Sequence, residues 1–139
     1  MTISTTAEKT QRVQFWGRYR NLPVDPAVAH VRTVFTQGQC HSFARALHRL
    51  TGWPLYVLGR PDPDKQRTSA SELGDHVVCR HPDGRFVDIE GAWSPGEKWK
   101  GCSVEMPRSE RTVQRLCWDK QDVWAAMPFA RKILEEVLK

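Results

Sequence analysis

The clearest alternation of apolar and polar side chains lies in HVVCRHPDGRFVDIEG, which spans residues 76–91. Its centre, Pro82-Asp83-Gly84, has the residues of a type I turn followed by a left-handed glycine, so the segment predicts a β-hairpin. This turn pairs Arg80 with Phe86. Because side chains alternate across a strand, the hairpin then has two distinct faces. One face is wholly apolar and comprises Val77, Cys79, Val87 and Ile89.

The opposite face of the predicted hairpin carries a histidine and two carboxylates. By this count Glu90 lies directly across from His76, and Asp88 lies one diagonal step away, so either carboxylate can reach the imidazole. A two-residue turn would instead pair His76 with Gly91 and point both carboxylates away from it. The alternative interpretation of His76 is an ordinary surface histidine on a half-exposed hairpin.

Helical patterns precede this hairpin. Asp25-Pro26 has the residue types of an N-cap and a first helical position, which predicts a helix reaching about Phe35. A second helix is predicted to begin near Cys40 and to end before TGWP, since Gly52 and the following proline stop it.

Around these elements the patterns are shorter. PLYVLGR and CSVEMP are typical of strands, and VQFWGRY predicts a short strand or a turn. Residues 60–75 form a polar loop, and AWSPGEKWKG predicts a second, tryptophan-bearing loop. The chain is helical again from about residue 109, with Pro128 expected to kink or divide the last helix.

The order of these elements predicts an α+β fold, in which N-terminal helices pack on a small antiparallel sheet and a C-terminal helix follows. We expect a flexible tail over residues 1–12 and a single domain over residues 13–139, because 139 residues can bury one core.

Composition narrows the function classes. No apolar run is long enough to span a membrane, and the N-terminus lacks the apolar core of a secretory signal. The net charge is +5, with the basic excess in the first third of the chain. These cations are scattered and belong to no nucleic-acid motif, so nucleic acid is a disfavoured partner despite six tryptophans.

The four cysteines show no CxxC spacing, and no histidine motif has metal-ligand spacing. We therefore expect no metal, no cofactor and no disulfide framework, and a reducing cytoplasmic location.

Cys40 admits two interpretations. It shares an apolar helical stripe with Phe43, Leu47 and Leu50, which is typical of a small core residue. It also lies where a helix begins, and the N–H groups and positive dipole there stabilise a thiolate. The preceding QGQ adds Gly38, which permits close backbone approach, and two amides, Gln37 and Gln39, that could donate to an oxyanion.

Taken together, GQCHSFARAL and GDHVVCRHPDGRFVDIEG resemble the nucleophile helix and the histidine and acid strands of papain-like cysteine hydrolases, especially the transglutaminase-like branch. The resemblance covers roughly residues 37–91. It implies a papain-like core with Cys40 as nucleophile, His76 as general base and acid, and Asp88 as the carboxylate that orients the imidazole, with Glu90 as the rival acid.

The implied activity is hydrolysis or acyl transfer at an amide or isopeptide bond, of peptidase or deamidase type, on a protein or peptide substrate. Trp93 and the loop before His76 would border the site and are candidates for substrate contacts, with hydrophobic packing as the alternative. The alternatives are a catalytically inactive relative that binds a protein through the same cleft, and a basic protein that binds nucleic acid.

Overall fold

The computed structural model describes residues 9–59, 76–95, 104–116 and 122–139. Within these ranges the chain forms four helices and two antiparallel sheets, so the predicted α+β class is confirmed. The strands are β1 (Thr10–Phe15), β2 (Arg18–Pro23), β3 (Leu55–Gly59), β4 (His76–Arg80), β5 (Phe86–Asp88), β6 (Gly91–Trp93) and β7 (Val104–Arg108). The helices are α1 (Ala29–Gln37), α2 (Cys40–Thr51), α3 (Glu110–Leu116) and α4 (Val123–Val137). Across the described ranges, no helix has the length and hydropathy needed to cross a bilayer.

The larger sheet has the strand order β6-β5-β4-β3-β7, and all of its neighbouring strands are antiparallel. Helix α2 packs across the middle strands of this sheet, and α4 packs against α2. This places α2 inside the main hydrophobic core, where Phe43, Ala44, Ala46 and Leu47 are almost completely buried. Of the stripe predicted for α2, Phe43 and Leu47 pack into that core and Cys40 packs against it, whereas Leu50 is 36% exposed.

The β4–β5 hairpin has the predicted turn. Arg80 pairs with Phe86 and Cys79 with Val87, and the N–H of His81 donates to the carbonyl of Arg85 at 2.8 Å. Gly84 has a φ of +98°, which a glycine adopts at no steric cost. The apolar face predicted from the alternation belongs to the main core: Val77, Cys79, Val87 and Ile89.

The opposite face of the hairpin differs from the expectation, because it is also buried. Val78 and Phe86 form a second apolar cluster with Leu58 and Trp93, each no more than 2% exposed. The surface-histidine interpretation depended on a half-exposed hairpin, and that expectation is wrong. Strands β3 and β6 supply apolar partners to this face as well.

The N-terminal segment forms a hairpin rather than a single short strand. β1 and β2 pair over their whole length and join through Trp16-Gly17, both of which have positive φ, as a two-residue turn requires. Strand β1 takes in residues 10–12 of the predicted tail; residues 1–8 lie outside the described residues.

Helix α1 begins later than predicted. Its first residue is Ala29 and its N-cap is Val28, which makes no side-chain cap. The Asp25 carboxylate accepts the N–H of Ala27 at 2.9 Å, so it closes a local turn two residues ahead instead of capping the helix. Helix α2, in contrast, begins at Cys40 as predicted and ends at Thr51, one residue later than expected. Gly52 adopts the left-handed conformation, and its N–H donates to the carbonyl of His48 at 2.7 Å.

Two further expectations need correction. The tryptophan-bearing segment begins with strand β6 and is not wholly a loop. Pro128 lies inside α4 without dividing it, so division, one of the two predicted effects, is wrong. The carbonyl that loses its N–H partner to Pro128 belongs to Trp124, which lies on the exposed side of the helix. The predicted polar loop over residues 60–75 lies outside the described residues.

Candidate active site

Cys40 is the first residue of α2, directly after the N-cap residue Gln39. Its side chain packs against the edge of the main core but stays partly exposed, and its thiol is free. The two interpretations of Cys40 are therefore compatible. The residue packs on the core side of the helix, and its sulfur also occupies the positive end of the helix dipole.

Gly38 determines how closely the chain approaches the N-terminal hairpin just before Cys40. A Cβ placed on Gly38 would lie 3.0 Å from the Phe15 ring and 3.6 Å from Nε1 of Trp16. Only a residue without a side chain fits this gap easily, as the sequence led us to expect. The tip of the β1–β2 hairpin therefore contacts Gly38, which precedes Cys40 by two residues in the sequence.

Gln39 is held by a hydrogen-bonded chain that the sequence did not reveal. The hydroxyl of Ser42 donates to Oε1 of Gln39 at 2.5 Å, and the N–H of Asp122 donates to that hydroxyl at 3.2 Å. This chain ties the turn before Cys40 to the start of α4. Since Gln39 is 0% exposed, it is built into the turn and offers no surface to a substrate. The sequence did contain one sign of this contact. A capping box has a serine or threonine followed three residues later by a glutamate or glutamine, and Gln39 and Ser42 have the same spacing in the reverse order.

His76 opens strand β4, where it pairs with Leu58 of β3, and it is 2% exposed. Its Nε2 lies 2.9 Å from Oδ2 of Asp88, a distance typical of a charge-assisted hydrogen bond. The other ring nitrogen, Nδ1, is buried. The imidazole and the Cys40 thiol interact closely enough to shift the pKa of both groups.

Asp88, rather than Glu90, supplies the carboxylate behind the imidazole. The hairpin count expected Glu90 opposite His76, but β5 ends at Asp88, and a tight turn leads into β6 with Gly91 at a φ of +100°. Oδ1 of Asp88 accepts the N–H of Glu90 at 2.8 Å, which holds this turn. The exposed Glu90 side chain instead lines a surface depression with Arg32 and Glu136.

The electrostatics couple the three groups. Burial raises the pKa of the Cys40 thiol, but the hydrogen bond and charge of His76 and the backbone N–H groups of Val77 and His41 outweigh it, so the pKa of Cys40 is lowered. Burial likewise opposes the charged form of His76, yet hydrogen bonds to Asp88 and Cys40 raise the pKa of its imidazole to about 10. This arrangement favours a thiolate–imidazolium pair at neutral pH.

Cys79 shows the contrasting case within the same chain. It lies on the core face of β4, its thiol donates to the carbonyl of Ala44 at 3.2 Å, and burial raises its pKa. It is a small core residue on the apolar face predicted for the hairpin. Cys102 and Cys117 lie outside the described residues.

The two remaining predicted site residues differ in their surroundings. Gln37 is the last residue of α1 and its side chain is exposed. Trp93 is 2% exposed and packs against Phe86 with ring centroids 5.3 Å apart. Because Trp93 is part of the second apolar cluster, it supports the strand that carries Asp88 and presents no open face to a substrate.

No metal-ligand group is assembled by the described residues: no three histidine, cysteine or acidic side chains are arranged to hold an ion. No family profile, curated protein or solved structure matches this chain. Any statement about its function therefore depends on the contacts among Cys40, His76 and Asp88.

Proposed function

We propose that this protein is a cysteine-dependent hydrolase or acyl transferase that acts on an amide or isopeptide carbonyl of a protein or peptide. The observation that carries the proposal is the buried His76–Asp88 pair, with Nε2 and Oδ2 2.9 Å apart, whose imidazole interacts with the thiol of Cys40 at the start of α2. The lowered pKa of Cys40 and the raised pKa of His76 are the shifts that nucleophilic catalysis by a thiol requires.

The proposed reaction has two steps. The Cys40 thiolate attacks the carbonyl carbon, and the His76 imidazolium gives its Nδ1 proton to the departing amine as the C–N bond breaks. The neutral imidazole then takes a proton from water, or from a second amine, as that nucleophile attacks the thioester and releases the thiolate. Asp88 stays ionised throughout, and its contact at Nε2 orients the ring and stabilises the imidazolium.

A papain-like or transglutaminase-like core is the fold that we associate with this proposal. In its favour are a cysteine at the start of a helix packed on an antiparallel sheet, a histidine opening a middle strand and an acid on the next strand. The free thiols of Cys40 and Cys79 fit the reducing cytoplasm expected from the sequence.

The proposal is tested first by the reactivity of the thiol. Iodoacetamide is added at pH values from about 6 to 9, and the alkylated cysteine is located by peptide mass mapping; a low-pKa thiol reacts well below the range of an ordinary cysteine. We expect Cys40 to be alkylated at the low end of this range while Cys79 stays unmodified, and His76→Ala to remove the low-pH reactivity. Cys79 is the internal control, since it is equally a cysteine but is buried with a raised pKa.

Acyl transfer itself is tested with p-nitrophenyl acetate. The expected result is a burst of p-nitrophenolate stoichiometric with enzyme, together with a mass increase that maps to Cys40 and is lost in Cys40→Ser. A thiol that is readily alkylated but forms no acyl-enzyme would instead indicate a relative that binds proteins without catalysis. A Cys40 that resists alkylation until the pH of an ordinary thiol would refute the proposal.

A further inference from the structure

The β1–β2 hairpin is unusual in its charge. Residues 9–24 contain four cations, Lys9, Arg12, Arg18 and Arg20, and no aspartate or glutamate. All four side chains are exposed. Among residues 9–59, 76–95, 104–116 and 122–139, no carboxylate forms an ion pair with Arg18 or Arg20. The hairpin therefore presents a positive surface that this part of the chain does not neutralise.

Large aromatic side chains lie among these cations. Trp16 at the turn is 52% exposed and Tyr19 is 48% exposed, which makes them two of the most exposed large hydrophobic residues described. Arg12 lies 4.2 Å above the Tyr19 ring centroid, so one face of that ring is already covered by a guanidinium. Exposed tryptophan, tyrosine and arginine are the side chains that protein-binding surfaces favour.

The register connects this surface to Cys40. Arg18 is paired with Phe15, and directly paired residues project from the same face of a hairpin. Phe15 is the ring that fits against Gly38, two residues before Cys40, and Trp16 approaches the same glycine. Arg20 pairs with Val13 and so belongs to this face too. Arg18 and Arg20 thus lie on the same hairpin face as Phe15, the residue that contacts the turn before Cys40.

We propose that the β1–β2 hairpin is the substrate-docking surface of the Cys40 site and that it selects acidic polypeptide segments. Arg18 and Arg20 bind carboxylates of the substrate through their guanidinium groups, and Trp16 packs against an adjoining side chain. The proposal rests on the proposed function, because it requires the substrate carbonyl to be delivered to Cys40. A polypeptide fits better than a single-stranded RNA, since the site next to the surface is suited to amide chemistry.

The test uses three chloroacetyl-capped peptides, tetraglutamate, tetraserine and tetralysine, each of which alkylates a thiolate with loss of chloride. The rate of Cys40 alkylation is measured by intact mass. At low salt we expect the glutamate probe to react about tenfold faster than the serine probe and the lysine probe to react most slowly, with the differences shrinking as salt is added.

The hairpin variant is Arg18→Glu with Arg20→Glu. It should abolish the preference for glutamate or reverse it in favour of lysine. The matched control is Arg111→Glu with Arg115→Glu on α3, which changes the net charge by the same amount at exposed positions and should keep the preference. If the double glutamate variant does not fold, Arg18→Gln with Arg20→Gln should lower the preference in the same direction.

Iodoacetamide, which carries no charge, separates the two proposals. A Cys40 that iodoacetamide labels normally but that shows equal rates with all three peptide probes would overturn the docking surface and leave the proposed function intact. A Cys40 that iodoacetamide fails to label would overturn the proposed function. A uridine decamer that protects Cys40 at lower concentration than decaglutamate would overturn the assignment to acidic polypeptides in favour of nucleic acid.

Discussion

Replacing Asp88 with asparagine removes the negative charge behind the His76 ring while keeping the size of the side chain. The amide oxygen can still accept the N–H of Glu90, as Oδ1 of Asp88 does at 2.8 Å, so the turn into β6 should be preserved. The amide NH2 then replaces Oδ2, which lies 2.9 Å from Nε2 of His76. Two donors would meet at this position, so the ring should change tautomer and place its proton on Nδ1.

The size of the effect follows from the contact that is lost. Asp88 is 4% exposed, so its hydrogen bond to the imidazolium is little screened by solvent. A hydrogen bond to a charged group contributes about 2 kcal/mol, which corresponds to about a thirtyfold change in the equilibrium between thiolate–imidazolium and thiol–imidazole. We therefore expect Asp88→Asn to lower the rate of Cys40 alkylation at neutral pH by about thirtyfold, and to move the rise of that rate toward higher pH.

Glu90→Gln is the matched control. It also removes one negative charge, but from an exposed side chain that lies two residues after Asp88. The assay is the pH dependence of iodoacetamide alkylation for wild type and both variants, with the near-ultraviolet circular dichroism spectrum as a check that packing is retained. Equal profiles for wild type and Asp88→Asn would refute the reasoning. So would a loss of reactivity in Glu90→Gln, because the acid behind the ring would then be the wrong one.

Three further predictions concern the same thiol and its supports. His76→Ala should raise the pKa of the remaining thiol above its ordinary value of 9.0, because burial is then opposed only by backbone N–H groups; the thiolate absorbance measured against pH shows this directly. Glu110→Gln should lower the free energy of unfolding by about 3 kcal/mol, since it leaves the two arginines of α2 without their carboxylate, one of them buried. The α2 arginines lower the pKa of Glu110 below 4.5, so its contribution is present above pH 4.5 and is lost as the pH falls through that lowered pKa, which urea unfolding at several pH values measures. Gly38→Ala should lower the free energy of unfolding by about 2 kcal/mol, because the added methyl group would press on the Phe15 ring. The φ of Gly38, −157°, is open to any residue, so the loss comes from this contact and Phe15→Leu should relieve part of it.

Local signals predicted the part of the site that lies within a single hairpin or helix. The Pro82-Asp83-Gly84 turn determined the register of β4 and β5, because the residue types at a turn limit its geometry. Gly52 ended α2 within one residue of the predicted end, and Cys40 lies at the predicted start. In each case the physical cause, a backbone conformation or a hydrogen bond, acts between residues close together in the sequence.

The burial of the site could not be predicted in the same way. His76 lies on a face that looks half polar in one strand pair, but Leu58 and Trp93, from strands on either side of the hairpin, join an apolar cluster there. The choice between Asp88 and Glu90 depended on where β5 ends. The glycine of DIEG was the sign that β5 ends early, since Gly91 takes a φ that other residues avoid. The predicted pairing nevertheless continued β5 as far as Glu90. The Gln39–Ser42–Asp122 chain joins residues 80 positions apart and has no local signal at its far end.

The position of Cys40 also explains why core packing and chemistry are not competing explanations for one residue. A thiol fully enclosed by apolar side chains has a raised pKa, as Cys79 does. A fully exposed thiol that contacts no imidazole keeps the pKa of an ordinary cysteine. Cys40 lies between these cases: desolvation is the largest influence on its pKa, and it strengthens the interaction with His76 that outweighs it. The apolar residues of α2 hold the helix against the Val77 and Cys79 face of β4. The thiol at its first residue therefore lies near the start of that strand, where the backbone N–H of Val77 and the His76 imidazole lower its pKa.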